Sequence, residues 1–220
     1  MSYIRAALAA AVSPSLLVTS TMAKMHPSIL LLALACLGAA TAARLEQTPT
    51  PLTMLTDPLA RCLDGTLSGY YHQPAASAAD ATRWVIFLEG GGECASQTAC
   101  TDATRTPLGS STHFYPSITF GPGHYLANAN ATANPDFATW HHVDVPYCSQ
   151  DLFSGQRTDA PPSTWGLYFS GHRILAAVIN ALERDAGLAS ATEIVFSGVS
   201  AGGIGMWLNA NWCVSVMHII

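Results

Sequence analysis

The stretch that most constrains the fold is Glu193–Met206, EIVFSGVSAGGIGM. An apolar run of strand length ends at Gly198, and a serine follows between two glycines. A segment of small residues with the character of a helix begins directly after Ser200. A chain can turn from strand to helix this tightly only where neighbouring side chains are small, and Gly198, Gly202 and Gly203 meet that need. Upstream, HRILAAVINALERDAG (His172–Gly187) sets Ile174, Leu175, Val178, Ile179 and Leu182 at helical spacing in one apolar stripe, with Gly187 placed as a left-handed cap. Trp84–Leu88, in RWVIFLEGGG, is a continuous apolar run closed by glycines, which predicts a strand buried on both faces. HVDVPY (His142–Tyr147) predicts a short strand ending near Pro146. Strand, helix, strand, helix is the order of an α/β fold, with a mostly parallel sheet, flanking helices and right-handed crossovers. DGTLSGYYHQP (Asp64–Pro74) reads as the start of an edge hairpin. Residues 94–140 are rich in Thr, Ser, Pro, Asn and Gly, a composition expected of loops that build a substrate site.

The 220 residues suit one domain, and with half of them hydrophobic and only 10% charged the chain calls for a large buried core. Net charge is −5. Without a Lys/Arg cluster, no nucleic-acid partner is expected. The first acid is Glu46. Before it, Met22, Lys24 and Met25 lead into SILLLALACLGAATAA (Ser28–Ala43), which ends in a small-x-small pattern. A positive start, a short apolar core and that ending describe a secretory signal peptide. The stretch is short for a membrane span of roughly 20 residues, and only if it were retained would a membrane partner be expected. Residues 1–43 are therefore read as a targeting region, 44–60 as a Pro/Thr-rich leader, and 61–220 as the folded domain. Export favours disulfides. Cys94 with Cys100 and Cys62 with Cys148 are candidate pairs, although spacing alone does not fix connectivity, and Cys213 is left over. Asn130, in NAT, is a candidate glycosylation site. No Cys or His spacing of a metal site occurs, and neither metal nor cofactor is expected.

Gly198-Val199-Ser200-Ala201-Gly202 fits G-x-S-x-G between a strand and a helix, the setting in which that pattern carries a nucleophilic serine. Acyl transfer also requires donors for the oxyanion. One is the N–H after the nucleophile, here that of Ala201, and another comes from the loop after an earlier strand. Gly90, Gly91 and Gly92 stand in that place. Losing one such donor costs about 3–4 kcal/mol of barrier in a well-studied protease.

WVIFLEGGGEC, LGSS, NPDFATW, VPYCSQDLFSG and GVSAGGIG occur in that order across roughly residues 61–211. Together they resemble the pectin acetylesterase family, which includes the Notum carboxylesterases. The resemblance implies an α/β-hydrolase-like fold and a Ser-Asp-His triad, with Ser200 as nucleophile and Gly91, Gly92 and Ala201 at the oxyanion hole. It further implies an acyl-ester substrate. The leading expectation is a secreted serine carboxylesterase that deacetylates an acidic cell-wall polysaccharide such as pectin. The alternatives are a Notum-like lipid or protein deacylase and a catalytically incompetent binding module.

Two departures stand out. Family members carry tryptophan where this chain has Gly92-Glu93, and Glu93 is expected to point away from the hole. In the family, the triad Asp and His lie well beyond the serine. This chain ends at Ile220, its CVSVMHII departs from the family's continuation, and the expectation is a hydrolase-like domain incomplete at its C-terminus with neither acid nor base in the chain. His113, His124, His141, His142, His172 and His218 are each expected to be structural or exposed rather than a substitute base. Asp144 and Asp151 are expected as polar supports of the substrate cleft.

Overall fold

The computed structural model describes residues 49–217. The stretch read as a targeting region and His218 lie outside the described residues. The strands are β1 (Thr50–Met54), β2 (Gly69–Gln73), β3 (Arg83–Leu88), β4 (Ser117–Ile118), β5 (His141–Val145) and β6 (Glu193–Gly198). The helices are α1 (Gln97–Ala103), α2 (Gly171–Asp185) and α3 (Ala201–Val216), with short 3-10 turns between them. One sheet joins the strands in the order β4-β1-β2-β5-β3-β6.

The parallel part of the sheet is β5-β3-β6. β2 runs antiparallel to β5, β1 antiparallel to β2, and β4 antiparallel to β1. The sheet is thus mixed, a parallel centre with an antiparallel wing. The wing departs from expectation in two places. Within the stretch read as a leader, Thr50–Met54 forms β1. Gly69–Gln73 is an interior strand, flanked by β1 and β5, rather than an edge. Pro51 is accommodated because β1 pairs only briefly with β4, through Thr50 and Pro51.

β3 is buried as its uninterrupted apolar run requires: Trp84 to Leu88 are all at most 2% exposed. Its side chains alternate between two cores. Trp84, Ile86 and Leu88 join Val143 and Val145 beneath α2, whose Ile174, Leu175, Val178, Ile179 and Leu182 fill the gap. Fully burying each such side chain contributes about 1.5–3 kcal/mol. On the other face Val85 and Phe87 meet Tyr71, Phe120, Ala127 and Trp140. α2 ends as its sequence dictates, with Gly187 left-handed at φ 85°.

Two disulfides pin the loops to this frame. Cys62–Cys148 ties the segment before β2 to the residues after β5, and Cys94–Cys100 closes a small loop over α1. Cys213 is free and buried.

Candidate active site

At the carboxyl end of the parallel strands, β6 passes into α3 through Val199 and Ser200. Ser200 is exposed and holds φ 53°, ψ −121°. A positive φ is rare for a residue with a Cβ and is kept only where its surroundings over-determine it. Val199 N–H donates to Leu88 O at 3.2 Å, Gly202 N–H to Val199 O at 2.9 Å, and Ile204 N–H to Ser200 O at 3.1 Å. Gly202 makes the turn possible: a Cβ there would strike the backbone oxygens of Leu88 and Glu89.

The glycine loop packs against this turn. A Cβ on Gly90 would lie 2.7 Å from Val199 O and 2.9 Å from Ser200 Cβ. Gly91 and Gly92 follow with φ 158° and 76°, both exposed. Among the described residues, no acceptor takes the N–H of Gly90, Gly91, Gly92 or Ala201. Ala201 opens α3, so the positive end of that helix also lies at Ser200. An exposed hydroxyl next to unpaired amides and a helix N-terminus suits an attack that develops negative charge on oxygen. Glu93 is exposed and forms no ion pair among the described residues.

No histidine or carboxylate of the described residues hydrogen-bonds to Ser200 Oγ. His113 is exposed. His124 Nδ1 accepts from Gly121 N–H at 3.2 Å, and burial holds its pKa below the ordinary value. His142 is buried against Phe137 O at 2.8 Å. His172 Nδ1 meets Asn209 Oδ1 at 2.6 Å, bridging α2 and α3. His141 stacks on Trp84 with ring centres 3.9 Å apart, and its Nδ1 lies 3.0 Å from His72 Nε2. This pair sits beside Trp84, at the opposite end of β3 from the glycine loop.

Both aspartates have partners within the fold. Asp151 is an internal staple: its carboxylate accepts from Ser149 Oγ at 2.6 Å, Gly171 N–H at 2.8 Å and Gly155 N–H at 3.2 Å. It stands among Gln150, Leu152 and Phe153, three residues at φ 56°, 57° and 53°, and ties that strained turn to the start of α2. Asp144 is fully buried inside the sheet, where its neighbour is the carboxyl of Glu89. Sequence reasoning passed over Glu89. The signal was present, because an acid directly closing a buried apolar strand must find a partner. Asn130 is exposed on its loop.

Residues 43–219 match the profile of the Pectinacetylesterase family. Among curated relatives, the palmitoleoyl-protein carboxylesterase NOTUM of Schmidtea mediterranea is 39% identical over 149 residues, 68% of this chain and 27% of its own length. Pectin acetylesterase 5 of Arabidopsis thaliana is 32% identical over 152 residues, 69% of this chain and 34% of its own length. Pectin acetylesterase 11 of the same plant is 32% identical over 191 residues, 86% of this chain and 45% of its own length. The solved structure of the Wnt deacylase Notum from Drosophila superposes with a TM-score of 0.68 at 28% identity, covering 77% of this chain and 49% of the other. The chain thus spans less than half the length of these relatives.

Proposed function

Since the chain belongs to the pectinacetylesterase family, we propose that it carries the nucleophile and oxyanion hole of a secreted serine carboxylesterase. Ser200 Oγ attacks the ester carbonyl. The N–H groups of Gly91, Gly92 and Ala201 receive the oxyanion; the ester C–O bond then breaks as the acyl-serine forms, and the proton given up by Ser200 passes to the leaving alcohol oxygen. The observation that carries this reading is Ser200 at positive φ on the β6–α3 turn, with Gly90, the first residue of the glycine loop, packed against it. The two disulfides support passage through an oxidising compartment.

The preferred substrate is an acetyl ester on an acidic cell-wall polysaccharide, the class named by the Arabidopsis relatives. A lipid-deacylating activity is the second reading. It is favoured by the 39% identity to the planarian NOTUM and by the exposed apolar residues Ile204, Trp207 and Leu208 that follow Ser200 on α3.

A fluorophosphonate probe tests the nucleophile. Labelling that disappears in Ser200→Ala supports the reading; labelling that persists, or is absent from the unmutated chain, refutes it. A triad stripped of its members retains only roughly 10³–10⁴-fold catalysis over water in a protease. With no base among the described residues hydrogen-bonded to Ser200, labelling is expected to be slow. Hydrolysis of acetylated pectin against a long-chain acyl ester then separates the two substrate classes.

A further inference from the structure

Glu89 and Asp144 form a pair of acids that the attack described above does not use. Asp144 lies directly across from Phe87 on β3 and Tyr71 on β2. Glu89, two residues beyond Phe87, falls on the same face by the period of a strand. Asp144 is 0% exposed, and among the described residues no N–H or hydroxyl donor satisfies either of its carboxyl oxygens. Its interaction is with the Glu89 carboxyl. Burial also raises the Glu89 carboxyl, and the nearby Tyr147 backbone N–H opposes that rise. Two ionised carboxylates cannot share such a site without a cation between them, and among the described residues no Arg or His forms an ion pair with either.

We propose that Asp144 keeps a proton which it donates to the Glu89 carboxylate, and that this one-proton clasp holds the Gly90–Gly92 loop against Val199 and Ser200. The pair then carries a single negative charge, with the Asp144 O–H as donor and the Glu89 carboxylate as acceptor. Glu89 is the hinge of the loop: its N–H donates to Val145 O at 3.2 Å, its carbonyl lies against Gly202, and the three glycines begin at the next residue. Anchoring Glu89 to β5 therefore fixes the loop's base with respect to the serine turn. That the loop so held is an oxyanion hole rests on the esterase reading above; the clasp itself does not.

The surroundings agree. Burial, then the charge of Glu89, pushes Asp144 well above the ordinary carboxyl range. Tyr71, on β2, is raised to about 12, chiefly by burial, and its hydroxyl donates to Tyr115 O at 2.6 Å. His142 precedes Asp144 by two on β5, and His124 faces Phe87 from the 3-10 segment Pro122–Ala127; burial keeps both toward the neutral form. Tyr147, just past β5, is raised by burial as well.

The test compares Asp144→Asn, which still donates to Glu89, with Asp144→Val, which cannot. A proton taken up on folding makes stability fall with pH from the unfolded carboxyl value of about 3.9 up to the raised folded value. Urea unfolding between pH 5 and pH 8 is therefore expected to show a shallower fall for Asp144→Asn, by up to roughly tenfold in the folding constant per pH unit. Hydrogen exchange of the peptide spanning residues 84–95 should speed up roughly tenfold or more in Asp144→Val, matching one lost hydrogen bond to a charged group, and stay unchanged in Asp144→Asn. Carboxyl-labelled aspartate in the unmutated chain gives a direct check, with one neutral carboxyl resonance expected at pH 7. Equal pH slopes, equal exchange in both variants, or only ionised aspartates would each overturn the clasp. None of these readouts needs an active serine, so absence of probe labelling would sink the esterase reading and leave the clasp to be judged separately.

Discussion

Removing the two disulfides one at a time asks how loop length sets stability in this chain. Cys62–Cys148 closes a loop with a sequence separation of 86, and Cys94–Cys100 one of only 6. Chain entropy assigns about 4.5 kcal/mol to the long crosslink and about 2 kcal/mol to the short one. Packing widens the gap. Cys62 and Cys148 are both 0% exposed in the main core, so truncating them to Ala also leaves a cavity there, whereas in the short bridge only Cys100 is fully buried, in a small satellite cluster, and Cys94 is partly buried. Backbone bonds around the long bridge, such as Leu63 N–H to Cys148 O at 2.8 Å, loosen with it. A domain of this size has about 5–15 kcal/mol in total, so Cys62→Ala/Cys148→Ala should be close to unfolding at 37 °C, and Cys94→Ala/Cys100→Ala should remain folded. Urea denaturation of both double variants at pH 7, under identical conditions, measures the difference. A short-bridge variant that loses as much stability as the long-bridge variant would refute the loop-length argument.

Other expectations concern the turn, the histidines and the surface. Gly202→Val must push its side chain into the Leu88 and Glu89 carbonyls; it should cost about 1–3 kcal/mol or more and abolish fluorophosphonate labelling, read by melting and probe gels. His72 is held down to about 4, by burial first and then by His141 and His142. A histidine kept neutral in the fold loses stability as pH falls from about 6.5 toward that value, by up to about 3 kcal/mol. His72→Phe, which keeps the stack on Trp84, should flatten the acid limb of a stability–pH curve. Asp151→Ala leaves the N–H groups of Gly155 and Gly171 without their acceptor and should cost about 2–3 kcal/mol, with increased proteolysis between residues 149 and 155. Trp207 is 77% exposed, flanked by Ile204 and Leu208. Trp207→Ser should reduce self-association in light scattering while changing stability by less than about 0.5 kcal/mol.

The parts of the fold that could be read from sequence are those whose information is local. β6 spans Glu193–Gly198 because an apolar run met glycine there, and α2 buries the five residues that its 3.6-residue period aligned. The Ser200 turn was legible because a strand, a small-residue turn and a helix adjoin with nothing between them. The antiparallel wing was not legible in this way. Thr50–Met54 has little apolar alternation and a proline, and it is a strand because β2 offers it a partner. β2 is interior for the same reason, since nothing within Gly69–Gln73 reveals which strands will flank it.

At the site, the chain by itself determined the chemistry on offer: a serine held by glycines, a glycine loop after a buried strand, and cysteines in a number that allows two bridges. Tertiary structure decided how those groups meet. It placed Gly90 against Ser200, closed a bridge across 86 residues, turned Asp151 into a staple, and set Asp144 against another acid, Glu89. Those outcomes depend on strand register and burial. Pairing across 55 residues and the loss of water around a carboxyl are properties of the assembled sheet, and no local window of sequence contains them.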